Sequence, residues 1–119
     1  MENRYLFRGK RKDNGEWIQG YLYGIWERRY ILWGMTNDIP NMVEVDPETV
    51  CQCTGYEGNY EKDIFRCEDE DYVIKWSDDS LRWEATSLET DVSVPLGDIN
   101  PDYMVVIGNE IDNPELLEV

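Results

Sequence analysis

Asp63-Ile-Phe-Arg-Cys67, Tyr72-Val-Ile-Lys-Trp76 and Leu81-Arg-Trp-Glu-Ala85 are the three runs of sequence that decide the fold. Each run is rich in β-branched and aromatic residues, and the polar segments 68–71 and 77–80 separate the runs with turn-forming residues. This pattern predicts an antiparallel meander of three strands. The apolar side chains expected to fill one face are Ile64, Tyr72, Ile74, Trp76, Leu81 and Trp83. The charged side chains expected to stay in water are Arg66, Lys75, Arg82 and Glu84.

The flanking sequence adds further short strands. Residues 5–23 indicate a hairpin, because Asn14-Gly15 tolerates positive φ and residues 16–23 alternate in polarity, although both sides of that second strand carry apolar residues. Extended segments follow at 26–33, 42–45 and 49–54, and the apolar run 103–107 predicts a strand buried on both sides. Asn113-Pro114 is typical of a helix start, so a short C-terminal helical turn is expected. The fold class is therefore mainly β.

Length and charge limit the classes of protein that fit. The 119 residues are enough for one domain with a real core, and no internal linker indicates a boundary, so we expect a single domain over 1–119. The net charge is −15, yet residues 1–34 carry seven bases against four acids, which leaves −18 on the remainder. That field repels the phosphates of nucleic acids and attracts basic protein surfaces. Nucleic acid is accordingly an unfavoured partner.

Two further features of the sequence indicate the cellular compartment of the protein. No apolar run reaches the roughly 18 residues that could span a bilayer, and the first residues lack the hydrophobic region of a secretory signal. Three cysteines, two of them at Cys51 and Cys53, favour free thiols over disulfides. We expect a soluble cytoplasmic protein with no membrane contact.

Catalysis is not expected. The chain has no histidine, which removes the usual general base near neutral pH and the commonest metal ligand. Glu68-Asp-Glu-Asp71 lacks the spacing of a calcium loop and is interpreted as a solvated turn. The three cysteines have no fourth zinc ligand of the usual kind, and the glycines form no phosphate loop. We therefore predict no enzyme activity, no metal and no cofactor.

Six aromatic rings lie within residues 17–33, which is more than one face of a small sheet usually buries. The rings are Trp17, Tyr21, Tyr23, Trp26, Tyr30 and Trp33. Most are expected in the core, but rings left exposed would form a binding or subunit interface. A basic run precedes them. The candidate interaction surface therefore consists of Arg8, Lys10, Arg11, Lys12, Trp17, Tyr21, Trp26 and Trp33.

Three segments together resemble the YopX family, small proteins encoded mostly by phages and prophages. Phe7-Arg8 with the basic turn after it is similar to the family's opening. Cys53-Thr-Gly-Tyr56 and Tyr60-Glu-Lys-Asp-Ile-Phe-Arg-Cys67 resemble its central Tyr-Thr-Gly and Tyr-Glu-Gly-Asp-Ile-Val pattern, with a shorter connection between them. Lys62 stands where the family pattern usually has glycine. Val106-Ile-Gly-Asn-Glu-Ile-Asp-Asn-Pro-Glu-Leu-Leu117 resembles its C-terminus most specifically.

The resemblance implies a fold, and it implies no activity. The implied fold is a small SH3-like barrel, here built on the meander, with the tail packed against it. The leading functional hypothesis is a phage or prophage accessory protein in the host cytoplasm that binds a host or phage protein, with homo-oligomers also possible. One alternative is an acidic DNA mimic that occupies a host nuclease or DNA-binding protein. Another is weak nucleic-acid binding through the basic N-terminal hairpin.

Overall fold

The structure is a computed structural model that describes residues 5–56 and 59–117, and it is mainly β. Two open antiparallel sheets of five strands hold the regular structure, and helical segments among these residues are short 3-10 turns. None of the described helices has the length and hydropathy that crossing a membrane requires. The backbone divides into two compact units, residues 1–55 and residues 56–119. A single domain stays a prediction.

Unit 1 contains the strands β1 to β5, in the spatial order β4-β3-β2-β1-β5. Their bounds are Phe7–Lys10, Trp17–Ile25, Arg28–Thr36, Ile39–Val45 and Cys51–Gln52. The predicted hairpin is confirmed as β1 and β2, and Gly15 has the positive φ that its turn requires. The prediction for residues 42–45 is confirmed within β4, and the turn at Asp46 is a 3-10 segment.

The core of unit 1 lies on one face of β2 and β3. Ile31 and Val45 have no exposed surface, and Gly20 and Gly9 on the same face lie close to them. A Cβ at Gly20 would lie 2.0 Å from the carbonyl oxygen of Leu32, and one at Gly9 would lie 3.0 Å from the Val45 side chain. Cys51 and Cys53 are buried free thiols. Close approach of the backbone therefore decides which side of β2 faces inward, a question that the alternating sequence left open.

The end of β4 curls back towards the end of β1. Asp46 N donates to Lys10 O at 2.8 Å, Lys12 N donates to Glu44 O at 3.1 Å, and Arg11 forms a bridge with Val45. The Thr49 hydroxyl accepts from Lys10 N at 2.8 Å and donates to Asp46 O. These bonds hold the basic turn of the first hairpin in place.

Unit 2 contains β6 to β10, and its centre is the predicted meander. The bounds of the strands are Asp63–Cys67, Glu70–Ser77, Arg82–Ser87, Ser93–Pro95 and Met104–Asn109. The spatial order is β10-β6-β7-β8-β9. Phe65, Ile74 and Ala85 form a buried cluster with Leu96 and Ile99. The predicted meander is thus confirmed, but the sheet built on it is open and is not a closed barrel.

Three details of the predicted meander face are wrong. Ile64 pairs with Val73 while Phe65 pairs with Tyr72, so Ile64 lies on the opposite face from Tyr72 and Ile74, and both faces are buried at the centre. Leu81 is 73% exposed because it lies in the turn before β8 with φ +55°, and Trp76 is half-exposed near the end of its strand. The charged positions predicted to be wet do share one face.

β10 was predicted to be buried on both sides, and this is wrong. In the described sheet β10 is an edge strand that pairs with β6, and Val105 and Val106 are mostly exposed. Apolar composition alone did not distinguish an edge position from a central one. After β10 the predicted helical turn is confirmed as the short 3-10 segment Pro114–Leu117.

Candidate functional site

The exposed face of the unit 1 sheet carries most of the rings that the sequence singled out. Successive side chains of β2 alternate between faces, and residues paired in register share a face. Trp17, Tyr21 and Tyr23 therefore lie opposite the glycine-lined core face, and the pairing of Tyr23 with Tyr30 adds a ring from β3. We call this surface the aromatic face. Its members are Arg8, Lys10, Trp17, Gln19, Tyr21, Tyr23, Ile25, Arg28, Tyr30, Leu32, Met42 and Glu44.

The rings of residues 17–33 are not core residues, which corrects the sequence-based expectation. Tyr21 is 50% exposed, Tyr23 47% and Trp26 89%, and Trp33 is also exposed, while Trp17 and Tyr30 are partly buried. Tyr23 and Tyr30 contact each other with ring centroids 6.2 Å apart, within the range for favourable aromatic pairs. The aromatic face is thus a row of preformed rings in contact with water.

Two cations lie over the first ring of the row. The guanidinium carbon of Arg8 is 4.5 Å from the Trp17 ring centroid, and Lys10 Nζ is 5.5 Å from it. Their register explains this, since Lys10 pairs directly with Trp17 and Arg8 pairs with Gln19. Cation–π contacts of this length fix the Trp17 ring and place positive charge at one end of the aromatic face.

The other two predicted cations belong to the turn. Arg11 makes a two-pronged ion pair with Asp13, with N–O distances of 2.9 and 2.7 Å. Hydrogen bonding from Arg11 lowers the pKa of the Asp13 carboxyl. Lys12 Nζ lies 3.2 Å from the Glu44 carboxylate. The basic run therefore places Arg8 and Lys10 on the aromatic face and Arg11 and Lys12 at the turn.

The far end of the aromatic face is the β2–β3 turn. Trp26 adopts φ +52° there, and Arg29 Nη1 donates to the carbonyl oxygens of Trp26 and Arg28 at 2.7 and 2.9 Å. A hydrogen bond to Tyr30 raises the pKa of the Arg28 guanidinium. Ile25, Trp26, Glu27, Arg28 and Tyr30 line an open cleft of about 420 Å³. Trp33 lies apart from this cleft, at the bulge between Leu32 and Gly34.

Sequence reasoning therefore identified part of this surface and missed the rest. It named four members of the aromatic face and Trp26 in the turn beside it, but it omitted Tyr23 and Tyr30. The four members are Arg8, Lys10, Trp17 and Tyr21. The rings at positions 17, 21 and 23 are separated by even numbers of residues, which places them on one face of a strand and could have indicated this surface. The contribution of Ile25, Arg28 and Met42 depends on the strand register.

A hydrogen-bond network in unit 2 joins a hydroxyl to a carboxylate. The Ser87 hydroxyl donates to Glu70, and Tyr72 OH donates to the other Glu70 oxygen at 3.2 Å. The Ser87 oxygen also accepts from the backbone N–H groups of Glu89 and Thr90, each at 3.2 Å. Ser87 is 2% exposed. Its lone pairs are occupied in a turn, so the geometry is that of a structural network.

Acidic side chains dominate the rest of unit 2. Residues 56–119 carry eighteen acids and four bases, a net −14, whereas residues 1–55 carry eight acids and seven bases, a net −1. In the antiparallel sheet, Glu68, Asp69, Glu89 and Asp91 lie in turns at one end, and Asp78 and Asp79 lie in the turn at the other. Among the described residues, no three acids or thiols come together as metal ligands.

The chain is thus mainly β, with two five-stranded antiparallel sheets and an exposed row of aromatic rings on the first. The sequence matches the model of the YopX protein family over residues 6–118. The chain therefore belongs to the YopX family, and the resemblance found in its three segments is confirmed. No curated protein matches the chain significantly. No solved structure does so either.

Proposed function

We propose that this chain is a non-catalytic module that binds a protein through the aromatic face. The observation that carries the proposal is the exposure of Tyr21 and Tyr23, which are about half exposed, whereas the opposite face carries the buried residues Ile31 and Val45. Exposed contiguous apolar surface of this kind marks interaction sites in soluble domains. Rigid rings add contact area at low entropic cost, so they favour binding.

The composition of the aromatic face supports a protein as the partner. Interface cores are enriched in tyrosine, tryptophan, methionine and arginine, and they are depleted in lysine and acids. The aromatic face has three tyrosines, a tryptophan, a methionine and two arginines, with a single carboxylate, Glu44. The Glu44 carboxylate is paired with Lys12. The rings at the centre would supply most of the binding energy, as anchors usually do.

Two alternatives keep some support. Arg8 and Lys10 beside Trp17 favour a single-stranded nucleic acid, whose bases stack on rings, but the −14 of unit 2 opposes it. The same −14 favours a DNA mimic, although the turn acids lie at both ends of the sheet and not in one row. Both alternatives have less support than binding to a protein.

The finer predictions about fold and origin are proposals as well. The SH3-like barrel that the resemblance implies stays a proposal, and the hydrogen bonds that bring the end of β4 to the end of β1 in the open sheet of unit 1 support it. Family membership supports a phage or prophage accessory protein that acts in the cytoplasm of the host cell.

A site-specific crosslinking experiment tests the proposed function. A photoreactive amino acid placed at Tyr21 should give discrete crosslinked bands with host or phage proteins in cells. The matched control is the same amino acid at Tyr103, which is 60% exposed in unit 2. Substituting Tyr23→Ala in the Tyr21-labelled protein should remove the bands.

Three results would count against the proposed function. They are the absence of bands from Tyr21, bands of equal intensity from both positions, and bands that persist in the Tyr23→Ala protein. Crosslinks to nucleic acid in place of protein would favour the single-strand alternative.

A further inference from the structure

The charges on the aromatic face are not distributed evenly. Arg8 and Lys10 lie at the Trp17 end, and Arg28 lies at the other end, where it pairs in register with Ile25. Between these ends β2 presents Tyr21 and Tyr23, without a charge of its own on this face. The aromatic face thus has cations at both ends and apolar rings in the middle.

The register of the strands gives the distance between the two cationic ends of the aromatic face. Lys10 pairs with Trp17 and Arg28 pairs with Ile25, so the two cationic ends are separated by eight residues along β2. At about 3.4 Å per residue, this separation is roughly 27 Å. An extended peptide lying along β2 has the same rise, so about eight of its residues would cover the distance.

We infer that the aromatic face binds an extended acidic segment of a partner protein, with carboxylates about eight residues apart at the two cationic ends and apolar side chains over Tyr21 and Tyr23. The inference rests on the proposed function and names the chemistry of the partner. Arg8 and Lys10 face one set of carboxylates, and Arg28 faces the other. Arginine suits this role because its planar fork pairs with carboxylates in two-pronged geometry.

The balance of charge favours a short acidic segment over a nucleic acid. Arg8, Lys10 and Arg28 place positive charge at the two ends of the aromatic face, and its carboxylate, Glu44, forms an ion pair with Lys12. Complementary charge at the rim of an interface speeds encounter and fixes register, so carboxylates of a partner suit these ends. A nucleic acid strand would carry a phosphate at every nucleotide past a chain of net charge −15. The long-range repulsion therefore grows with strand length, whereas the local attraction does not.

Selection of random displayed peptides on the full-length protein tests this inference. Selection on the Tyr23→Ala protein in parallel removes peptides that bind elsewhere. The remaining peptides should carry Asp or Glu at two positions about eight residues apart, with apolar residues between them. Arg28→Glu should switch the preference at one of the two positions from acidic to basic and leave the other unchanged. The control reversal Lys75→Glu, at an exposed position of unit 2, should change neither.

Affinity gives a second readout. A synthetic peptide of the selected type should bind the Arg28→Glu protein at least about tenfold more weakly, because a rim contact between opposite charges becomes one between like charges. Reversing the charge of the peptide's matching end should recover binding. Urea unfolding of each variant shows that it is folded, and Tyr21→Ala replaces Tyr23→Ala if the latter does not fold.

The outcomes separate this inference from the proposed function. Selected peptides that depend on Tyr23 but show no acidic preference overturn the inference and leave the proposed function standing. Absence of Tyr23-dependent peptides, together with absence of crosslinks from Tyr21, overturns both. Tyr23-dependent binding of oligothymidylate, or a dimer that Tyr23→Ala dissociates, overturns the inference because the aromatic face then has another occupant.

Discussion

Lys62 holds its backbone at φ +73° in the turn that leads into β6. Its N–H donates to Ile74 O at 2.9 Å, and its carbonyl oxygen accepts from Glu110 N at 3.0 Å, so the turn is tied to two other segments of unit 2. Residues with a Cβ adopt this region at a cost, and glycine does not. The glycine that is usual at this place in the family pattern therefore has a structural reason.

Substituting Lys62→Gly should raise the free energy of unfolding by about 0.5–1 kcal/mol, because the strain of the left-handed conformation exceeds the entropy that glycine adds to the unfolded chain. Lys62→Ala is the control, since it removes the same side chain but keeps the Cβ, and it should give no increase. Urea unfolding measures both. Equal stability of the two variants would show that the backbone conformation costs nothing here.

Gly20 is required for a different reason, which is space. Its hypothetical Cβ would lie 2.0 Å from Leu32 O and 2.9 Å from the Ile31 side chain, and backbone cannot move away as a flexible side chain can. The core face of β2 is thus shaped by a missing side chain. This close contact is also what turns Tyr21 and Tyr23 towards water.

Gly20→Ala should lower the free energy of unfolding by about 3 kcal/mol or more, as expected for overpacking against backbone. Gly34→Ala is the matched control in the same sheet, because nothing lies within 4 Å of its Cβ position. That variant should be unchanged or more stable by up to about 1 kcal/mol. Denaturant midpoints measure both, and a similar loss in the two variants would contradict the packing argument.

At the scale of elements, the most family-specific stretch of the sequence is a folding motif. The Asn109 side-chain oxygen accepts from the N–H groups of Ile111 and Asp112, and its amide donates to Asp112. The Asn113 side-chain oxygen accepts from Asn109 N at 3.2 Å. Gly108 leaves room for it, since a Cβ there would lie 2.4 Å from that oxygen. The motif turns the chain from β10 into the final 3-10 turn.

The effects of Gly108→Ala and Asn113→Ala on the free energy of unfolding should therefore be coupled. Each alone should lower the free energy of unfolding, the first by a clash and the second by the loss of a hydrogen bond. In the double variant the side chain that would clash with the new Cβ is truncated. The double variant should therefore lose less free energy of unfolding than the sum of the losses in the two single variants, by about 1–2 kcal/mol. A double-mutant cycle in urea measures this difference, and simple additivity would contradict the predicted contact.

The β7 strand should confer a pH dependence. Burial raises the pKa of the Tyr72 phenol, and the nearby Glu70 carboxylate raises it further. Because the folded-state pKa lies above the unfolded value of about 10, the contribution to stability is complete below that pH. It is lost as the pH rises through the folded-state pKa.

Tyr72→Phe should thus flatten the decline of the free energy of unfolding above about pH 10. Tyr103→Phe changes a residue that is 60% exposed, and it should leave the decline as in the unaltered protein. Unfolding curves at a series of alkaline pH values make the comparison. Identical slopes in the Tyr72→Phe and unaltered proteins would refute the assignment to Tyr72.

At the scale of the whole molecule, the dominant feature is the asymmetry of charge. Unit 2 carries a net −14 and unit 1 a net −1. Six acids of unit 2 occupy exposed turns with few bases between them, so they repel each other in the folded state: Glu68, Asp69, Asp78, Asp79, Glu89 and Asp91. Ions in solution screen this repulsion over distances of about 8–10 Å at moderate salt.

Added sodium chloride should therefore raise the Tm of the full-length protein. The double substitution Asp78→Asn/Asp79→Asn should raise the Tm at low salt and reduce the response to salt. Asp38→Asn, in the nearly neutral unit 1, is the control and should change the response little. Scanning calorimetry over a range of ionic strength measures these effects, and a Tm that falls as salt is added would contradict the repulsion argument.

The candidate site was only partly predictable from sequence. The concentration of rings in residues 17–33 and the basic run before them indicated the strands that carry the aromatic face. Their exposure could not be predicted, because β2 has apolar residues on both sides and only packing at Gly20 and Ile31 selects between them. Likewise the sequence alone did not show that Arg11 and Lys12 pair with Asp13 and Glu44, or that Arg8 and Lys10 lie over the Trp17 ring.

The sequence by itself determined the strands of the meander, the first hairpin, the C-terminal turn and membership of the YopX family, because these depend on local alternation and turn residues. Tertiary structure decided which sheet faces are buried, where β10 lies and which cations border the aromatic face. These features depend on contacts between residues distant in sequence. A two-residue period indicates that a strand has two faces, but neighbouring strands determine which face meets water.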